Sequence, residues 1–381
     1  MPRRTVLDRS AVLEAHLAAR RPLAECVLHG LDLAAFESRL MGESLRGCLL
    51  LGCRLGETLL QHAQRSGALV FPVIEGLPYR AHRSSLYSVE ELLGDYRPGD
   101  HASHDETLDA RVYRHYHEQG GEGARDIRET LAMRLHDHAI TDALHDLLEG
   151  RKVVAVMGGH SLRRGSPEYV RVARLGRLLT RQGFVTVSGG GPGAMEATHL
   201  GSWFAQRGLD ELDDGIRTLS VAPRFAPIGP WLDAAFEVRQ RYPLPVDPAH
   251  RHVSVGIPTW LYGHEPPGAF ATHIAKYFAN SVREEGLLAI AGAGVIFAPG
   301  GPGTVQEVFQ DAAQNHYRTF GGPSPMIFLG EEFWRVRRPI FPVLAHMAAG
   351  SEYAQWLYVT DDLDEIVARL VAYDRARARP A

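Results

Sequence analysis

Lysine is almost missing from these 381 residues, with Lys152 and Lys276 the only two. Pyridoxal chemistry needs a lysine for its Schiff base. One of the pair opens an apolar run and the other lies in a helical pattern, so that chemistry is set aside. Cysteine is scarce as well: Cys26, Cys48 and Cys53 form an odd set without metal-ligand spacing. A disulfide framework is excluded, and a reduced, cytoplasmic protein is expected. No apolar run approaches the ~20 residues of a membrane span, and the stretch 1–21, with Asp8 and Glu14, lacks the apolar core of a signal peptide. Neither sign of charge dominates, with 41 Lys+Arg against 45 Asp+Glu. That leaves no broad basic footprint for nucleic acid and no basic anchor for a membrane.

What is present falls into two textures. Over 1–70 leucines recur at every fifth position (Leu40, Leu45, Leu50, Leu55, Leu60), with Gly42, Gly47 and Gly52 in step. Period five is neither 3.6 nor 2. It resembles the pentapeptide-repeat pattern, whose leucines stack inside a four-sided β-coil; irregular helices with a leucine ladder are the other reading. Ser88 and Glu91 have the capping-box spacing, which predicts a short helix over 88–96. The polar run 97–123 holds His101, His104, His115 and His117 and reads as a solvated connector, with metal binding the lesser alternative. Apolar residues from Ile127 to Leu147 follow helical spacing, and Gly150 stops that helix.

From Arg151 the chain alternates strand and helix, the signature of an α/β, doubly wound parallel sheet. Strands are predicted at 153–157, 184–187, about 218–221, 295–297, 326–329 and 357–359. Helices are predicted at about 167–181, 268–288 and 362–373. The segment 223–265, with seven prolines, stays unassigned. Its Trp231, Tyr242, Trp260 and Tyr262 are candidates for stacking a base, or simply core. This divides the chain into an N-terminal extension, 1–124, and a nucleotide-binding domain, 125–381.

Three glycine turns each follow a strand and precede a helix: Gly158-Gly159-His160-Ser161, Gly189-Gly190-Gly191-Pro192-Gly193, and Gly300-Gly301-Pro302-Gly303. In a parallel sheet such turns share the carboxyl edge, where open α/β folds bind ligands. Free amides and the positive end of a helix dipole there suit an anion. Thr304 is placed to cap the third helix. Neither G-x-G-x-x-G nor a P-loop is present, so dinucleotides and triphosphate hydrolysis are not indicated.

Pro299-Gly300-Gly301-Pro302-Gly303-Thr304-Val305-Gln306-Glu307 matches PGGxGTxxE, and Gly189 to Glu196 matches GGGPGxME. This pair resembles the LOG ("lonely guy") family, Rossmann-like proteins formerly mislabelled lysine decarboxylases, over roughly 150–375. The 158–161 turn is similar to that of larger bacterial nucleoside 5′-monophosphate nucleosidases. The resemblance implies an enzyme that hydrolyses the N-glycosidic bond of a nucleoside 5′-monophosphate, of AMP or cytokinin riboside type, to base and ribose 5-phosphate. It implies Glu307 and Arg283 as catalytic residues, with Glu284 a rival in the same register. Phosphate or nucleotide would be held by Gly300, Gly301, Gly303 and Thr304. Gly158, Gly159, His160, Ser161, Gly189, Gly190, Gly191, Gly193, Met195 and Gln310 would complete the site. No metal and no cofactor is implied, and a homodimer or larger assembly is. The alternative is a non-catalytic nucleotide- or cofactor-binding carrier, since related folds bind molybdenum cofactor or serve in DNA processing.

Overall fold

A computed structural model describes residues 4–123, 126–245 and 252–377. The chain separates into two compact units, Met1–Leu86 with His117–Leu147, and Tyr87–Tyr116 with Leu148–Ala381.

The first unit is built on a four-stranded parallel sheet: β1 (Val6–Leu7), β2 (Val27–His29), β3 (Leu49–Leu51) and β4 (Leu69–Phe71), in that order. Val6 pairs with Val27, Val27 with Leu49, and Leu49 with Leu69. The leucine ladder is explained by what lines the core: Leu28, Leu40, Leu45 and Leu50 are all buried in one cluster. The step of five fails at Leu60, because the helix Glu57–Arg65 takes over and turns Leu59 inward instead. Inward leucines on a parallel sheet and helical segments are thus both present. The cysteines are buried, and Cys48 and Cys53 donate to the carbonyls of Leu23 (2.9 Å) and Leu28 (3.3 Å). Small thiols fit there because a larger side chain would separate neighbouring turns of chain.

The second unit carries a seven-stranded, wholly parallel sheet. Its strands are β5 (Val153–Met157), β6 (Val185–Ser188), β7 (Ser254–Gly256), β8 (His273–Ile274), β9 (Gly294–Phe297), β10 (Met326–Leu329) and β11 (Leu357–Thr360). They are ordered β11-β10-β9-β5-β6-β7-β8. Every residue of β5, β6, β9 and β10 is buried, as expected for strands covered by helices on both faces. The order runs outward from β5 in one direction, then returns to start β9 on its other side. That reversal makes a switch point between β5 and β9, opening a crevice at their carboxyl ends. At the β8 margin, Tyr87 and Ile274 exchange main-chain hydrogen bonds of 3.0 and 2.8 Å.

Local signals explain most helices. Ser166 accepts from the Tyr169 amide, Pro167 sits in the first turn, and the helix Pro167–Arg181 matches the predicted span. Ser88 accepts from the Glu91 amide at 3.1 Å, as its spacing predicted. Three expectations need correction. The predicted strand at 218–221 is the end of the helix Leu209–Leu219 and the turn after it. The strand that pairs with β6 is instead β7, inside the proline-rich segment, which also holds the helix Ile228–Arg241; residues 246–251 of that segment lie outside the described residues. The predicted helix 268–288 begins only at Asn280, because β8 occupies 273–274. The run 97–123 is no loose connector either. It forms the 3-10 turn His101–Glu106 and the helix Leu108–Glu118, and buried Asp109 pairs with buried Lys276.

Candidate functional site

All three glycine turns meet at the switch point. The Gly159 amide donates to Pro299 O at 3.1 Å, and the Ala194 amide donates to Gly159 O at 3.1 Å. A Cβ on Gly159 would stand 3.3 Å from Gly300 Cα. Gly193 has φ +71°, and a Cβ there would lie 2.4 Å from Gly159 O, so only glycine fits. The loops after β5, β6 and β9 are therefore one packed surface.

The helix Pro302–Tyr317 starts on it. Its N-cap is Gly301, not Thr304 as expected, and no side chain caps it. Thr304 is the third helical residue, buried, with its hydroxyl turned toward Gly300. That hydroxyl has no hydrogen-bond partner among the described residues. Space beside Gly301 and Gly303 is open: a Cβ on either would meet nothing within 4 Å. The result is an uncapped helix start facing free volume.

Arg283 lies under the second loop, nearly buried. It donates to main-chain carbonyls, Ile257 O at 2.8 Å and Gly189 O at 3.4 Å. No carboxylate lies within salt-bridge distance of it among the described residues. Met195 packs in the same place, since a Cβ on Gly189 or Gly191 would come within 3.0 Å of its thioether. Glu307 is half-buried. Burial pushes its carboxyl up to about 7, with the Arg283 charge pulling down and Glu284 pushing up. Glu284, the rival to Arg283, is itself engaged by Asn280 and Gln306 at 2.8 and 3.0 Å. Gln310 is half-buried one turn further along the same helix, and His160 and Ser161 are exposed at the rim.

Some candidates belong to the core instead. Trp231 is buried beneath the Arg164 guanidinium, 4.3 Å from its ring centre. Trp260 is buried and stacks on Phe278 at 4.6 Å. Neither is free to stack a base; Tyr242 hydrogen-bonds Asp214 and Tyr262 is surface-exposed. Glu196, the acid of the second motif, is fully buried and held by Arg164 at 2.5 and 2.8 Å and by Tyr169 at 2.9 Å. It anchors the helix behind the loop. No group of three or more metal-ligating side chains is found among the described residues, and His101 is engaged by Asp233 at 2.8 Å. Two residues at the rim escaped sequence reasoning. Glu265 lies 3.6 Å from His160, and Arg338 donates to Gly300 O at 3.1 Å. Glu265 sits in the proline-rich segment, where no pattern marks it; Arg338 closes the run Arg335-Val336-Arg337-Arg338, the one visible signal.

No protein-family model matches the chain, and no curated protein does. Solved structures do. One is the molybdenum cofactor binding protein from the phototrophic bacterium Rippkaea orientalis, at 14% identity and a TM-score of 0.36, over 59% of this chain and 98% of that one. Another is the Moco carrier protein from Chlamydomonas reinhardtii, at 14% identity and a TM-score of 0.37, over 59% and 99%. These proteins are named for binding and carrying, not for hydrolysis, and the expected phosphoribohydrolase finds no support among them. At such TM-scores the likeness says nothing about the ligand of this chain, which is argued from its own residues. No helix among the described residues is long and apolar enough to cross a membrane.

Proposed function

We propose that this chain is a non-catalytic binding or carrier protein for a phosphorylated, nucleotide-like small molecule, with the phosphate on Gly300–Thr304. The observation that carries the reading is the uncapped start of the helix Pro302–Tyr317, facing open space at the switch point. Unpaired amides and the helix dipole favour an anion there, and the Thr304 hydroxyl adds a donor. Arg283 supplies a cation with no carboxylate within salt-bridge distance among the described residues, and Glu307, titrating near 7, offers a hydrogen-bonding group to the ligand's sugar or ring.

Calorimetric titration with AMP, GMP, ribose 5-phosphate and the molybdenum cofactor, followed by chromatography of the recovered ligand, tests this. Binding with AMP recovered intact is expected. Release of adenine, or the absence of binding by any phosphorylated probe, overturns it.

A further inference from the structure

We infer that Arg338 is a second anion contact, a guanidinium held over the rim of the phosphate loop to close on the bound phosphoryl group. The inference rests on the reading of Gly300–Thr304 as a phosphate cradle.

Its mount is rigid. After β10 the chain forms a single π-helical turn, Phe333–Arg337, a rare feature that is frequent at functional sites. The Arg338 amide donates to Phe333 O at 2.7 Å and ends that turn. Buried Trp334 locks the turn to the sheet, its indole N–H shared between Phe297 O at 3.0 Å and Leu329 O at 3.1 Å. Phe297 is the last residue of β9, immediately before the loop. The turn is thus tied to the strand that delivers the cradle.

Three arginines lie on or just after this turn, and only one reaches the loop. Arg335 lies over the Phe341 ring, and Arg337 approaches Glu332 at 3.9 Å. Arg338 instead donates from one nitrogen to Gly300 O at 3.1 Å. Among the described residues no carboxylate lies within salt-bridge distance of it. A guanidinium has five N–H donors, so most remain for a ligand. Two features at the same spot point to an anion: the uncapped amides with open space beside Gly301 and Gly303, and the hydroxyl of buried Thr304, which has no hydrogen-bond partner among the described residues. An exposed arginine fastened to the carbonyl of that same loop supplies the charge that a phosphate dianion needs. Its planar fork also allows two parallel hydrogen bonds, which lysine cannot make.

The test compares AMP with adenosine on the full chain, using wild type, Arg338→Ala and Arg338→Lys. Arg338 is exposed, so both variants are expected to keep the wild-type Tm. Wild type should bind AMP more tightly than adenosine. Arg338→Ala should weaken AMP about tenfold, the scale of one charge-assisted hydrogen bond, and leave adenosine unchanged. Arg338→Lys should restore part of the loss. Equal AMP affinity in wild type and Arg338→Ala overturns the inference alone, as does an equal loss for AMP and adenosine. Wild type binding AMP no better than adenosine overturns the phosphate cradle itself.

Discussion

Asp311, one turn beyond Glu307, carries a buried carboxyl whose Oδ2 meets no donor; the Asn315 amide reaches only the other oxygen, at 3.4 Å. Burial pushes this carboxyl up to about 8. In the unfolded chain it ionises near 4. Between those values the folded state holds a proton that the unfolded state has lost, so stability falls as pH rises through that window. Asp311→Asn removes the titrating group. Its Tm should fall less than that of wild type between pH 5 and 8, and parallel curves would refute the assignment. Glu196 and Arg164 make the opposite case, a buried pair whose lone pairs and donors are used. Removing one partner strands the other charge, at a cost of about 3–5 kcal/mol. Arg164→Met should therefore lower the urea midpoint sharply, while a shift of only a few tenths of a kcal/mol would mean that the pair is dispensable.

At the scale of elements, the glycine turns are the working parts. Gly193→Ala would drive a methyl group into Gly159 O and force a residue other than glycine to φ +71°. A loss of about 2 kcal/mol or more is expected, together with weaker AMP binding, because the loops after β5 and β6 would separate. Wild-type AMP affinity in this variant would show that the two loops act independently. These turns were readable in the sequence because glycine clusters after apolar runs leave few alternatives. The helix Pro167–Arg181 was readable from its Ser166 cap and Pro167. β7 was not, since Ser254-Val255-Gly256 contains a single large apolar residue and prolines lie on either side. Leu219 and Val221 imitated a strand only because the helix Leu209–Leu219 ends on its apolar stripe. Thr304 looked like a cap by composition, yet Pro302 starts the helix two residues earlier. The roles of Trp231 and Glu196 depend on Arg164, more than thirty residues away in sequence from either, which no local pattern conveys.

At the scale of the molecule, the probes are segregated. All three cysteines belong to the first unit and all five tryptophans to the second. Each unit has its own sheet and core, and separate cores commonly unfold in separate steps. Thiol labelling and tryptophan fluorescence, followed through one urea titration, should give different midpoints. A single shared midpoint would show that the units unfold as one. AMP should raise the fluorescence midpoint and leave the thiol midpoint in place. In the native state labelling should be slow, because burial pushes all three thiols upward and hides them.

The bridge between Tyr87 and Ile274 bears on how copies of this protein behave when crowded. An edge strand normally advertises spare amides and carbonyls to any passing chain. Here the terminal strand has already spent its pairing at Ile274 on its own backbone. Lateral strand addition to the seven-stranded sheet is thus opposed at that border, and within this sheet it would have to grow from the β11 side.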